Sequence, residues 1–228
     1  ILSAAILALG QTTKTNSRPE QPNAAPKPTE ELQPKNDATK YTYEFTQPQF
    51  FLRHILIEHD STGRSKVTFE RLNEEVPVVE AFEISAAAMA RILGYYQSLQ
   101  FLDSQTNYQS EKQFPHLGTM RLQMEQGARK RLVEFNWTNN REAAGLVNEY
   151  RRIADQANFV FDMSVARQNQ PLNAPKLMEG LETLLKRDGV SDPQQLVPLL
   201  REISTDEHLP LIARNHALRL LKKIENGK

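Results

Sequence analysis

From Phe50 to Phe101 the chain reads as strand, tight turn, strand, short strand and amphipathic helix, and this stretch narrows the possible folds more than any other. His59-Asp60-Ser61-Thr62-Gly63-Arg64 sets turn formers between two β-rich runs, with Gly63 placed for positive φ. After the turn, Val67 and Phe69 alternate with Lys66, Thr68 and Glu70, which predicts a strand with one buried face. Before it, Phe50 to Ile57 is apolar on both faces, as suits an interior strand. A short strand follows in Glu80 to Glu83. Ser85 then caps a helix with Ala88, Met89, Ile92, Leu93, Tyr96 and Leu99 on one stripe.

The same plan recurs further on. Met120, Leu122 and Met124 alternate with polar residues, Gly127-Ala128 turns the chain, and Val133, Phe135 and Trp137 alternate in the returning strand. These last three are expected to lie buried under the helix that follows. Asn139 and Glu142 have the spacing of a capping box, ahead of a stripe of Leu146, Val147, Tyr150, Ile153, Ala154, Ala157 and Phe161. A first strand is expected over Tyr41 to Thr46. The resulting fold class is α+β: an antiparallel sheet of two hairpins plus short strands, two helices on one face, and a C-terminal α-helical appendage.

Two resemblances sit on these residues. The layout of residues 41–160, with Ile84-Ser85 at the helix start and Leu99 to Leu102 at its end, resembles bacterial exported domains of unknown function; it implies an envelope or secreted location and no known activity. Residues 194–225 resemble a single HEAT-type helical repeat, in which Asp206 and Arg214 match the positions that form a ladder between neighbouring repeats. Stacked repeats draw about half their burial from neighbours, so a lone unit is expected to dock on the sheet domain or to offer a groove to a partner.

At 228 residues, 39% hydrophobic and 25% charged, one or two globular domains are expected. Lys plus Arg, at 28, equals Asp plus Glu, so no overall field draws nucleic acid or an anionic membrane. The absence of cysteine excludes disulfides, thiolate metal sites and a cysteine nucleophile within this sequence. Residues 1–10, ILSAAILALG, are too short to span a bilayer but suit the apolar core of a secretory signal, with Ala8 and Gly10 before a possible cut at Gln11. Residues 11–40 hold five prolines among polar residues and read as a disordered linker. The expected domains are thus 1–10 as a signal remnant, 11–40 as linker, 41–163 as the sheet domain, 164–175 as a second linker, and 176–228 as the helical appendage.

No spacing commits to a chemistry. The five histidines form no His-x-x-x-His or His-Glu-x-x-His pattern, and no serine lies in a Gly-x-Ser-x-Gly elbow. Asp60-Ser61-Thr62-Gly63 has one residue too many for an aspartic-protease triplet and is read as turn chemistry. Arg121, Arg129, Lys130 and Arg131 alternate with Glu125 and Glu134, as on a salt-bridged outer sheet face. Tyr95, Tyr108, Phe114 and His116 are the candidate recognition residues, in and near the long loop at 104–116. The expectation is an exported binding or structural module of the bacterial envelope, acting on a protein partner. It needs no cofactor, metal or nucleic acid and has no stable membrane span in the mature chain. The alternative is an envelope hydrolase whose active site is assembled from distant loops.

Overall fold

The computed structural model describes residues 39–227; the signal-like stretch and nearly all of the first linker lie outside the described residues. Six strands form one antiparallel sheet: β1 (Lys40–Thr46), β2 (Leu52–Asp60), β3 (Arg64–Arg71), β4 (Val78–Glu83), β5 (Thr119–Gln126) and β6 (Arg129–Phe135), in the order β4-β3-β2-β1-β5-β6. The five helices are α1 (Ala86–Ser98), α2 (Arg141–Asn169), α3 (Ala174–Lys186), α4 (Val197–Thr205) and α5 (Leu211–Glu225). The fold is α+β.

Alternation sets the two faces of the sheet. In register, Tyr43 lies opposite Ile57 on one side and Leu122 on the other, and Ile57 opposite Val67. All four are fully buried beneath α1 and α2. The odd-even partners Glu44, His54, Glu70 and Arg121 fall on the outer face. There Arg121 bonds Glu134 at 2.6 Å and Glu44 at 3.3 Å, while His54 bridges Glu44 and Glu70 at 3.0 Å each. The acid and base side chains thus close a ladder across five strands. Lys130 joins Glu125 at 2.6 Å and Arg129 joins Asp103. Arg131 departs from this face: it donates to the Phe101 carbonyl at 2.6 Å and lies over the Phe101 and Tyr108 rings.

Two glycines fix the connections. Gly63, at φ 92°, turns the β2–β3 hairpin, and its carbonyl accepts from Ile84 N at 2.8 Å, which holds the start of α1 against the hairpin tip. Asp60 accepts from Thr62 N at 2.8 Å and Oγ1 at 2.5 Å, with Arg64 at 2.9 Å; these bonds hold its carboxyl down at about 2, as a turn residue. Gly118, also at φ 92°, enters β5 where an added Cβ would stand 2.5 Å from the Phe45 ring.

Ser85 caps α1, accepting from Ala88 N at 3.2 Å. On α2 the cap is Asn140, one residue later than expected, accepting from Ala143 N at 2.8 Å. Helix α2 is the largest departure from the sequence reading. It runs through residues 164–169, half of the stretch read as a linker, and only the short 3₁₀ turn Pro171–Asn173 separates it from α3. Its first half carries Leu146, Val147, Tyr150 and Ile153 into the sheet core. Its second half carries Phe159 and Met163 into a second core with Met178, Leu200 and Leu220. The C-terminal helices are therefore docked through a shared helix. Asp206 does not pair with Arg214: it accepts from Arg167 of α2 at 2.9 Å, and Arg214 Nε is buried with no hydrogen-bond partner among the described residues.

Within the first core, His59 Nδ1 donates to the Asp60 carbonyl at 2.8 Å, so Nε2 accepts from the Tyr150 hydroxyl, also at 2.8 Å. The imidazole stacks on Tyr41 and is held neutral, its pKa pushed below 6.5 chiefly by burial. The unfolded chain protonates this side chain below about pH 6.5 while the folded one resists, so the unfolded state binds more protons and stability falls as pH drops through that value. Urea unfolding from pH 7.5 to 5 is expected to show a smaller acid loss in His59→Gln than in wild type. Parallel curves would contradict it.

Candidate functional site

The chain leaves β1 at Gln47-Pro48-Gln49 and re-enters the sheet at Leu52, so the β1–β2 connection stands at one end of the sheet. Gln47 Nε2 donates to the carbonyls of Pro115 and His116 at 3.2 and 2.8 Å, tying this connection to the turn ahead of Gly118. Helix α2 passes the same end with Ala144, Val147, Arg151 and Ala154 toward the sheet. Apart from Arg151 these are short aliphatic residues, so the helix does not fill the space between itself and the connection.

The result is a cleft of about 870 Å³. Tyr43, Phe45, Ile55, Met120 and Phe135 lie along the sheet side; α2 forms one wall, and Phe50, Phe51, Leu117 and Trp137 form the other. Its size is that of a small-molecule site. A second hollow of about 790 Å³ continues between α2 and α3, sharing Phe51 and Asp155 with the first. Between them Arg71 donates to Asp162 at 2.5 Å and Asn158 at 2.8 Å, with its guanidinium over the Phe51 and Phe161 rings.

Polar groups in the cleft are few. Arg151 lies over the Phe45 ring, 5.8 Å from its centre, and donates to Met120 Sδ at 3.4 Å. No carboxylate among the described residues forms an ion pair with it. Asp155, one turn along α2, pairs with Arg187 at 3.3 Å instead; burial nonetheless raises its pKa. The Tyr43 hydroxyl is buried with no hydrogen-bond partner among the described residues, and its ring stacks on Tyr150 at 4.9 Å. Burial pushes its pKa up to about 12, against the opposing pull of the nearby Arg151. The lining contains no His, Ser, Cys or Lys. No three His, Asp or Glu side chains among the described residues gather as metal ligands.

The sequence candidates fall in different places. Phe114 meets both His116 and Trp137 edge to face, at 6.0 and 5.4 Å, and of these three rings Trp137 lines the cleft. Tyr108 is buried at 3% exposure between Phe101 and Phe135, so it pins the long loop to the core and is closed to a ligand. Tyr95 is packed across α2, where its ring occupies the space a Cβ on Gly145 would need. Trp137 overturns the expected burial: it is 43% exposed, and Val133 is only half-buried, while Phe135 is enclosed as expected. Strand β6 ends at Phe135, so the two-residue alternation does not extend to Trp137. Phe50, Phe51 and Arg151 carried no local signal, because an interior strand and an outward arginine read as ordinary packing.

Compared with known proteins, the chain matches no family model and no curated protein. No helix among the described residues is long and apolar enough to cross a membrane.

Proposed function

We propose that this protein is a binding module whose working surface is the cleft between α2 and the β1–β2 connection. The observation that carries this reading is the cleft itself. It is a wide, aromatic-walled opening beside a fixed sheet, with Phe50 and Phe51 left 43% and 59% exposed. Hydrolysis would need a nucleophile beside a base. The lining offers Thr138, whose hydroxyl accepts from Asn140 N and has no base hydrogen-bonded to it, and Asp155, which Arg187 already holds, so binding is the better reading. An envelope or secreted location is part of the proposal; its support is the apolar stretch 1–10 followed by the polar, proline-rich stretch to residue 40.

A neutral apolar dye is expected to bind the full chain saturably and to quench Trp137, the chain's only tryptophan. Phe50→Ser combined with Phe51→Ser should weaken that binding about tenfold or more with little effect on melting, because both rings are partly exposed already. Unchanged dye affinity in the double variant would refute the cleft as the working surface. Location is tested separately by fractionating source cells: recovery outside the cytoplasm is expected, and recovery with cytosolic proteins would overturn the exported reading.

A further inference from the structure

We propose that the cleft takes a free fatty acid, its carboxylate on Arg151 and its hydrocarbon tail against Phe45, Phe50, Leu52 and Trp137. This rests on the reading of the cleft as a binding site and adds the chemistry of what enters it.

Arg151 is the first reason. It is an exposed residue on the lining of a largely apolar cleft, and its fork of donors matches two carboxylate oxygens. Here its hydrogen bond goes to a thioether, a weak acceptor, and the acid one turn away is committed to Arg187. Tyr43, whose hydroxyl feels the Arg151 charge, is the second reason. Its side chain is wholly buried, it lines the cleft beside Arg151, and its hydroxyl has no partner among the described residues. Unsatisfied buried hydroxyls are rare, and a donor next to an unpaired cation is a place for an anionic oxygen.

The rest of the lining argues for a hydrocarbon tail over a peptide. A bound peptide needs main-chain partners, most readily at a free strand edge. The main chain just past β6, beside the cleft, is already occupied: Ser110 N donates to the Trp137 carbonyl at 2.9 Å, and Asn136 N to Gln109 Oε1 at 2.9 Å. The Asn136 side chain is likewise taken, accepting from Phe114 N at 3.0 Å. Apart from the Gln49 and Asn148 amides, what stays open is apolar and aromatic, which suits a chain that asks for few hydrogen bonds along its length.

The test compares headgroups on one tail. Dodecanoate, dodecanol and dodecylamine are titrated into the full chain below their micelle concentrations, with Trp137 emission as the readout. Dodecanoate is expected to saturate at concentrations at least tenfold lower than the other two. In Arg151→Met its affinity should fall about tenfold while that of dodecanol stays within about twofold. Equal affinity for dodecanoate and dodecanol in the wild type would overturn the proposal, and because that comparison uses no variant it does not depend on how Arg151→Met folds. Displacement of dodecanoate by an amide-capped apolar peptide of equal affinity would overturn it as well, in favour of a protein segment. Neither result touches the broader reading, which fails only if the neutral dye does not use the cleft.

Discussion

One carboxylate holds the two halves of this fold together. Glu149, in the first half of α2 and 2% exposed, accepts from Arg91 Nε at 3.0 Å, Arg91 Nη2 at 2.8 Å and Ser191 Oγ at 2.6 Å. Arg91 belongs to α1 and also donates to the Ser191 carbonyl at 2.7 Å, so α1, α2 and the approach to α4 meet at a single charged group. Leaving such a carboxylate buried without its arginine would be far costlier than forming the pair is favourable. Two turns further along, Gln156 accepts from Asp192 N at 3.0 Å and donates to Gln195, which in turn donates to the Glu83 carbonyl of β4. The polar seam therefore runs from the sheet edge through α2 to the C-terminal helices.

The cleft depends on that seam. Helix α2 supplies one wall of it, and a helix free to tilt would close onto Phe50 and Met120 or move away from them. Packing on the sheet in its first half and on α3 to α5 in its second fixes its course from both sides. Short side chains on the sheet-facing turns then leave the space open. The C-terminal helices thus do for α2 what neighbouring repeats do for one another in a solenoid: they supply the burial that one helix pair lacks.

Much of this was legible from the sequence. Period-two runs and the glycine turn found both hairpins, and helical stripes found α1 and α2, because each buries one regular face. Residues 164–175 misled because Arg167, Gln168, Asn169 and Gln170 look like solvated linker. Arg167 is in fact held by Glu202 at 2.8 Å and Asp206 at 2.9 Å, so its partners lie 35 and 39 residues away. Glu149 and Gln156 carried no signal for the same reason, as polar positions whose burial depends on distant partners. The cleft was invisible for a different reason. It is a missing volume between elements, made by Ala144, Val147 and Ala154 being small, and no pattern of residue types marks an absence of contact.

The most direct test of this account is whether the two halves unfold as one when Glu149 is intact and separately when it is not. Urea unfolding should be followed by Trp137 emission, which reports the sheet end, and by helical circular dichroism, dominated by α2 to α5. Coincident transitions are expected for the wild type. Glu149→Ala should lower the midpoint by about 2 kcal/mol or more of stability and split the two signals, since Arg91 and Ser191 lose their common acceptor. A variant that unfolds with coincident probes at the wild-type midpoint would contradict the claim that this carboxylate joins the halves.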